Sequence, residues 1–319
     1  MSATARQLAN TKSMSRTEWL RLRLQGIGGS DAPVIAGVSP YRSPFSLYVE
    51  KVDGVVTDEE PTEAQRFGNL LEDTVAKEFA RRTGFKVLRK NSMLQSVAHP
   101  FQLANVDRVT RDDDGPAIVE VKCRSAFGKK HWDDDQVPVD VVLQTQHYLA
   151  VTGYPRAWVV VLLGGNELRF APLDRDDELI AQLTDLEADF WDRVQRRDPK
   201  DSWIDGSEST TDALKALYPM SDPGESVTVE ATRWETFNRL RAQLAEVKQD
   251  LDAAENELKA LMGNAESAYL PGGERPVATW RTQIANRLDT QAIKDHEPKI
   301  AALYTKQSTS RVFRVGKGE

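Results

Sequence analysis

Residues 102–110, Gln-Leu-Ala-Asn-Val-Asp-Arg-Val-Thr, and residues 116–122, Pro-Ala-Ile-Val-Glu-Val-Lys, are the most informative part of this chain. The second segment follows an Asp-Asp-Asp-Gly turn and is rich in β-branched residues, so it predicts a strand. Successive side chains of a strand point to opposite faces, so Glu120 and Lys122 share one face and the valines share the other. The first segment predicts the preceding strand of a hairpin, which places Asp107 beside Glu120.

Two acids and one lysine at this interval suit the hydrolysis of a phosphodiester. Mg²⁺ keeps several of its waters and is bound by one or two carboxylates plus substrate phosphate. Such an ion polarises the phosphate and lowers the pKa of a bound water, while Lys122 can orient that water or stabilise developing charge. The pattern therefore predicts a Mg²⁺-dependent nuclease in which Mn²⁺ can substitute. The alternative is a solvent-facing Glu/Lys pair on a half-buried strand, with Asp107 in a turn.

Two helical patterns add further polar side chains. Residues 59–83 predict a long helix with one apolar stripe, and Glu72 borders its buried side. A carboxylate in that position needs a partner or a metal. Residues 139–152 predict a second helix, with Gln144 and Tyr148 four residues apart on one face. This pair can bind a DNA backbone or brace the site, and the alternative is ordinary helix surface. The stripe consists of Phe67, Leu71, Val75 and Phe79.

A glycine-rich turn follows a basic helix near the N-terminus. Residues 16–25 are predicted to be helical, residues 26–29 read Gly-Ile-Gly-Gly, and Ser30 or Asp31 is expected to cap a short helix. Backbone N–H groups at that helix start, together with Arg23, predict an anion site. The alternative is a capped helix without a ligand. The glycine spacing and the preceding helix both argue against a dinucleotide-binding loop.

The acidic residues, the lysine and the glutamine–tyrosine pair described above resemble, in their order along the chain, the motif of the PD-(D/E)XK nuclease superfamily. More narrowly, the chain resembles the YqaJ-type viral recombinases related to phage lambda exonuclease. The resemblance covers roughly residues 15–195 and includes residues 26–45 and Phe-Gly-Asn-Leu-Leu-Glu at residues 67–72. Its one departure is Val106, where the superfamily name implies proline, and that position does not touch metal chemistry. The matched residues are Glu72, Asp107, Glu120, Val121, Lys122, Gln144 and Tyr148.

The resemblance implies a role for each matched position. Asp107 and Glu120 would bind the metal together with the Val121 carbonyl. Lys122 would serve the attacking water, and Glu72 would reach a second or water-bridged ion. The implied fold is α/β, a restriction-endonuclease-like core with a central mixed β-sheet flanked by helices.

The resemblance also implies a substrate and a direction. In lambda-type exonucleases, an arginine and a serine seven residues apart hold the 5′-phosphate, and Arg23 and Ser30 match that spacing. The expected activity is 5′→3′ digestion of one strand of linear duplex DNA, leaving 3′ single strands for phage-type recombination by single-strand annealing. The expected partners are double-stranded DNA ends, a single-strand annealing recombinase or single-strand-binding protein, and further copies of the chain, because relatives form trimers. The alternatives are a structure-selective or nicking endonuclease and a non-catalytic DNA-binding recombination scaffold.

Composition narrows the class of protein. The net charge is −7, but residues 1–52 contain seven Lys/Arg against three Asp/Glu, and residues 275–319 contain nine against four. Local basic segments within an acidic chain are compatible with gripping and releasing DNA. A single cysteine, Cys123, excludes an intramolecular disulfide and a one-chain iron–sulfur site, and the four histidines lack zinc-ligand spacing. No segment resembles a transmembrane span or a signal peptide, so a cytoplasmic protein is expected. The resemblance implies that this is a phage or prophage protein acting in the cytoplasm of the bacterial host.

Three regions are expected along the chain. Residues 1–200 predict the nuclease domain, and residues 201–226 a linker with a short helix. Residues 227–319 predict a long helix, a small β-hairpin and a basic tail. The long helix, over residues 229–261, has apolar positions close to a heptad pattern. The loop at residues 125–136 can contact or wedge the cleaved strand, and the alternative is a solvated loop. The heptad-like positions are Phe237, Leu240, Leu244, Val247, Leu251 and Leu258.

Overall fold

The computed structural model of the chain describes residues 4–54, 62–132 and 136–316, and the chain forms two compact units, Met1–Tyr218 and Pro219–Glu319. The boundary at Tyr218 lies inside the predicted linker. The three-region division stays a prediction, because compact packing does not test independent folding. Within the described ranges, no helix is both long and apolar enough to cross a bilayer.

The first unit mixes strands and helices along its length. Its elements in chain order are β1 (Ala5–Asn10), α1 (Arg16–Arg23), β2 (Ile27–Gly28), α2 (Ala32–Ile35), α3 (Pro44–Asp53), α4 (Glu63–Thr83), β3 (Leu88–Arg89), β4 (Ser92–Ser96), β5 (Gln102–Ala104), β6 (Arg108–Asp112), β7 (Gly115–Arg124), α5 (Val139–Thr152), β8 (Arg156–Leu163), β9 (Glu167–Asp174), α6 (Asp177–Arg196) and α7 (Glu208–Leu217). Short 3₁₀ helices lie at Ala126–His131 and Asp201–Trp203.

The centre of this unit is a five-stranded mixed sheet with the order β3-β6-β7-β8-β9. Strands β7 and β8 are parallel, and the other neighbouring pairs are antiparallel. Strand β7 is rich in valine and isoleucine, as expected for a strand that is covered on both faces. The predicted α/β class, a mixed sheet flanked by helices, is confirmed.

A second sheet, with the order β1-β4-β5-β2, adjoins the first along the chain. The predicted single strand over residues 102–110 is wrong in one respect, because it is divided between the two sheets. Strand β5 pairs with β4 and β2, whereas β6 pairs with β3 and β7. Residues 105–107 cross from one sheet to the other, so Asp107 lies on a crossover segment rather than inside a strand.

Helices cover both faces of β7. The C-terminal half of α4 buries Val75 and Phe79 against Val119 and Val121, and α5 covers the opposite face. The predicted buried stripe does not include Phe67, whose side chain is 53% exposed. The first two turns of α4 lie at the surface. The predicted start of this helix at residues 59–61 lies outside the described residues.

Helix α7, the short helix expected within residues 201–226, packs into the first unit. The Thr210 hydroxyl, which is buried, donates to the Ser43 hydroxyl at 2.7 Å. The backbone N–H of Ser43 donates to the Ser209 hydroxyl at 2.8 Å. These bonds join the start of α7 to the N-cap of α3.

The second unit is built on one long helix. Its elements are α8 (Ala231–Met262), β10 (Ser267–Ala268), β11 (Ala278–Thr279), α9 (Thr290–His296) and α10 (Pro298–Tyr304). The predicted β-hairpin is a short antiparallel pair, β10 with β11. None of the side chains of α8 is buried.

Candidate active site

The side chains predicted for catalysis meet where the chain enters β6. The β6–β7 hairpin places Arg108 opposite Val119, so Asp107, one residue earlier, lies next to Glu120. The backbone N–H of Val121 donates to Asp107 Oδ2 at 3.1 Å. This hydrogen bond fixes the Asp107 carboxylate against the central strand.

Helix α5 completes a polar network over β7. Lys122 Nζ donates to Glu120 Oε1 at 2.7 Å and to Gln144 Oε1 at 2.9 Å. The Gln144 amide donates to the same Glu120 oxygen at 2.7 Å and to the Tyr148 hydroxyl at 3.3 Å. The structure therefore brings together four of the residues that the sequence predicts, although their catalytic roles stay predictions.

The cationic groups nearby do not fully neutralise the carboxylates of Asp107 and Glu120. Burial raises the pKa of Asp107 well above its ordinary value, and Glu120 and Glu72 raise it further against the opposing charge of Lys122. Glu120 is 2% exposed, and its Oε2 has no hydrogen-bond partner among the described residues. A buried carboxylate oxygen without a partner is costly. The site therefore fits an additional cation.

Tyr148 faces the same carboxylates. Burial raises the pKa of its hydroxyl well above the ordinary value, and the charges of Glu120 and Asp107 raise it further. The hydroxyl consequently stays protonated at neutral pH and can donate a hydrogen bond to a substrate oxygen.

Glu72 lies near this site but is paired with an arginine. Arg108 Nη1 donates to Glu72 Oε1 at 2.5 Å and to the Asp107 carbonyl at 2.8 Å. In the described ranges, no group of three or more His, Cys, Asp or Glu side chains is arranged to hold a metal ion. Asp107 and Glu120 remain as a pair, which is the number of carboxylates that Mg²⁺ takes together with substrate phosphate. A metal-binding role for Glu72 stays a prediction.

Sequence reasoning missed Arg108. It is 4% exposed and carries the one charge that faces Glu72 from β6. The sequence signal for this residue was an arginine directly after Asp107, at the start of a strand pattern that is expected to be buried. Only the position of α4 shows why that arginine is there.

The Arg23–Ser30 pair is present as a direct contact. Arg23 Nη2 donates to Ser30 Oγ at 2.7 Å and to Asp31 Oδ1 at 2.9 Å. The Arg23 guanidinium also lies over the Trp19 ring, 4.9 Å from its centroid. Arg23 is the last residue of α1 and precedes the glycine turn. These contacts fix the orientation of its side chain.

Asp31 occupies the expected N-cap position of α2, which is only four residues long, but the expected capping hydrogen bond is not formed. Its Oδ2 instead accepts from Gly28 N at 3.0 Å and pairs with Lys51 Nζ at 2.9 Å. Burial by itself raises the pKa of Asp31, but Lys51 and Arg23 outweigh it and hold the pKa far below its ordinary value. The permanent carboxylate therefore holds the two cations and the turn in place.

A cavity of about 150 Å³ joins the Arg23–Ser30 pair to Asp107. Asn105 also lines it, and the Asn105 Oδ1 atom is buried without a hydrogen-bond partner in the part of the chain that the structure describes. Sequence reasoning missed this residue, because nothing local separates an asparagine in a crossover segment from a turn former. The lining residues are Trp19, Arg23, Gly28, Gly29, Ser30, Met93, Leu103, Asn105, Asp107 and Tyr148.

Gly29 explains how the turn comes so close to α5. A Cβ atom at this position would lie 2.4 Å from Cε1 of Tyr148, closer than any real contact. Only glycine allows the turn to pack against that ring, and this packing closes one wall of the cavity.

A buried ion pair joins α5 to α6. His147 Nδ1 contacts Glu187 Oε1 at 2.7 Å, and its Nε2 donates to the Leu103 carbonyl at 2.9 Å. Both His147 and Glu187 are fully buried, and the Gln102 amide donates to the second Glu187 oxygen at 2.8 Å. Burial alone lowers the pKa of His147, but Glu187 outweighs it and raises that pKa. With oxygen atoms at both ring nitrogens, the charged imidazolium can donate to both of them.

The loop after β7 is only partly described. Residues 126–131 form the 3₁₀ helix, and Phe127 is 92% exposed, whereas residues 133–135 lie outside the described residues. The predicted contact of this loop with DNA stays a prediction.

Comparison with known proteins adds family and fold. Residues 18–155 match the YqaJ-like viral recombinase domain. The protein YqaJ of Bacillus subtilis (strain 168), which carries the description "uncharacterized protein", is 36% identical over 320 residues, with 98% of each chain covered.

Two solved structures with a similar fold are both of LHK-Exo. LHK-Exo in complex with dAMP has a TM-score of 0.50 at 19% identity, covering 56% of this chain and 93% of that chain. A second structure of LHK-Exo, described as an alkaline exonuclease from Laribacter hongkongensis, has a TM-score of 0.48 at 19% identity with the same coverage. At this level of identity the likeness to LHK-Exo in complex with dAMP shows a shared fold.

Proposed function

Because the chain belongs to the YqaJ-like viral recombinase family, we propose that it is a metal-dependent DNA exonuclease. The observation that carries this proposal is the network of Asp107, Glu120 and Lys122 with its unpartnered buried oxygen on Glu120. Two adjacent carboxylates and a lysine, gathered at the central strand, are the groups that phosphodiester hydrolysis requires.

The proposed metal is Mg²⁺, with Mn²⁺ able to substitute. Asp107 and Glu120 would hold it through hard carboxylate oxygens, with the Val121 carbonyl and Glu72 as further proposed ligands. When bound, the ion supplies Lewis-acid activation of the phosphate and of a water. The raised pKa of Asp107 and the free oxygen of Glu120 support this assignment, because a cation would relieve both.

The chain's own residues position the other reactants. Lys122 is held by Glu120 and Gln144, so its ammonium points along a fixed direction towards the carboxylates. In that place it orients the attacking water or stabilises charge that develops on the phosphate. Gln144 and the Tyr148 hydroxyl, which remain donors, would brace the same phosphate.

The cavity beside Asp107 supports a preference for 5′-phosphorylated ends. Arg23 and Ser30 line one part of the cavity and Asp107 another. A terminal phosphate bound by Arg23 would therefore set the next phosphodiester near the carboxylates. This arrangement supports 5′→3′ digestion of one strand of linear duplex DNA. LHK-Exo was solved with dAMP, a deoxynucleoside monophosphate, which is the class of product expected here.

The biological part of the proposal concerns recombination. The 3′ single strands left by such digestion would be used by a single-strand annealing recombinase or bound by a single-strand-binding protein. The proposed setting is a phage or prophage protein in the bacterial host cytoplasm, acting on DNA ends as a homo-oligomer, with a trimer as the expected form. A structure-selective or nicking endonuclease and a non-catalytic scaffold are the competing proposals, and the intact carboxylate–lysine network argues against the scaffold.

The direction can be tested with linear duplex DNA labelled separately at its 5′ and 3′ ends, with and without a 5′-phosphate. We expect early release of the 5′ label and faster digestion of phosphorylated ends. Ser30→Ala should reduce the preference for the phosphate about 10-fold, the loss expected for one charge-assisted contact. Arg21→Ala, which removes an arginine of α1 that does not line the cavity, is the control. Early release of the 3′ label would contradict the direction while leaving the nuclease proposal intact.

A further inference from the structure

Helix α8 carries an apolar seam at a strict heptad spacing. Alternate steps of three and four residues connect eight positions across residues 237–261. None of the side chains of α8 is buried, and Leu244 and Leu251 are 69% and 64% exposed. The seam consists of Phe237, Leu240, Leu244, Val247, Leu251, Ala254, Leu258 and Leu261.

This spacing is specific for helix–helix pairing. A repeat of 3.5 residues keeps one stripe facing a neighbouring helix along its whole length, whereas a helix lying on a globular core follows a 3.6-residue repeat. Within the described residues, Phe237 of the seam lies near Phe313, which is in the irregular segment after α10, with the two rings 6.1 Å apart. The remaining leucines and valine of the seam face outward, so the helix has the pattern of a coiled coil.

The charges on α8 indicate the partner and its direction. The first eighteen residues of the helix carry four Arg/Lys and two Asp/Glu, and the last fourteen carry one Lys and four Asp/Glu. Two copies of this helix are therefore complementary when they run in opposite directions, because each basic half then lies beside an acidic half. The same copies in parallel would place like halves together.

We propose that α8 pairs with α8 of a second copy of this chain in an antiparallel coiled coil. When Val247 faces Leu251 of the second copy, the whole seam is matched in four kinds of layer. Leu244 then packs against Ala254 of the second copy, Leu240 against its Leu258, and Phe237 against its Leu261. The small Ala254 thus lies opposite a large leucine. All eight seam positions are buried by this one register.

The flanking charges agree with that register. In the antiparallel pair, Arg241 lies beside Glu255 of the second copy, and symmetry repeats this ion pair at the other end. Like charges meet only at the centre, where Lys248 lies beside Lys248 of the second copy and Asp250 lies beside Asp250 of the second copy. In a parallel pair, Asp250 would face Glu255 twice, and no Lys or Arg would face an acid. The antiparallel arrangement is therefore favoured.

The first test is the particle mass of the full chain, measured by sedimentation. Leu244→Glu with Leu251→Glu places charges in the seam and should weaken association at least about 100-fold. The particle mass should then fall to half that of the wild type, because the coiled coil joins either two single chains or two of the proposed trimers. The control is Gln249→Glu with Asn256→Glu, which adds the same charges on the outward face of α8 and should leave the mass unchanged. Far-UV circular dichroism checks that α8 stays helical in both variants.

The second test is charge reversal. Arg241→Glu or Glu255→Arg alone should weaken association by about 3–10-fold, and the double reversal should restore it. A parallel pair predicts the opposite for Glu255→Arg, because the new arginine would face Asp250.

A cysteine at the centre of the helix gives an independent readout of direction. Lys248→Cys should form an intermolecular disulfide on oxidation, because the antiparallel register brings the two copies of this position together. The wild type, which contains Cys123 alone, is the control. The proposal is overturned by a wild-type chain that is a single copy at tens of micromolar, by seam variants of unchanged mass, or by tighter association of Glu255→Arg.

Discussion

Glu120 is buried on the central strand, yet one of its two oxygens accepts two hydrogen bonds and the other accepts none in the described structure. A side chain of this kind lowers stability unless a cation or substrate group fills the place of the missing partner. Its neighbours Asp107 and Lys122 are held by their own hydrogen bonds, so the site is ordered before any ligand arrives. Preorganised charge of this kind is typical of catalytic sites.

Substitution of this network should abolish cleavage without unfolding the chain. Glu120→Gln keeps the shape and the contacts of the side chain but removes its charge, so we expect at least a roughly 100-fold loss of cleavage rate. Lys122→Ala should cause a similar loss. The measurement is the initial rate of nucleotide release from linear duplex DNA in Mg²⁺. Lys215→Ala, at an exposed position of α7, is the control and should match the wild type.

Metal binding can be tested without measuring activity. Because Asp107 and Glu120 repel one another, Mg²⁺ or Mn²⁺ should raise the thermal unfolding temperature of the wild-type chain. Asp107→Asn removes one of the two charges, so the variant should be more stable than the wild type in EDTA and should gain little from added metal. An equal thermal shift in both proteins would show that the metal binds elsewhere.

At the scale of elements, the site depends on how α5 is held. Its residues Gln144 and Tyr148 belong to the candidate site, whereas His147 pairs with Glu187 of α6. Helix α5 thus carries a structural ion pair next to residues of the candidate site. Breaking a buried pair leaves an uncompensated charge and is strongly destabilising.

We therefore expect His147→Gln to lower the free energy of unfolding by about 3–5 kcal/mol at mildly acidic pH. The pKa of His147 is raised in the folded chain, so the folded state binds the proton more tightly than the unfolded state. The stabilisation is complete below the unfolded pKa of about 6.5 and is lost as the pH rises through the folded pKa. Denaturant unfolding across this pH range measures the difference. A destabilisation that is constant with pH would show that the imidazole is not charged in the fold.

At the scale of the whole molecule, local patterns predicted some parts of the structure and missed others. The strand over residues 116–122 and the helix over residues 139–152 were predicted correctly, because their spacing is fixed by their own sequence. The division of residues 102–110 between two sheets was missed, because a change of sheet depends on distant strands. The partners of Arg108 and His147 were missed for the same reason, since each lies on an element far away in sequence.

Cleavage of linear duplex DNA compared with covalently closed circular duplex DNA, in Mg²⁺, tests the proposed exonuclease activity most directly. The wild-type chain should release nucleotides from the linear form and leave the closed circle intact, and a single double-strand cut should convert the circle into a substrate. Glu120→Gln should release nucleotides from neither form. Cutting of the closed circle by the wild type would contradict exonuclease action and identify an endonuclease, and no Mg²⁺-dependent cleavage of either form would contradict the nuclease proposal itself.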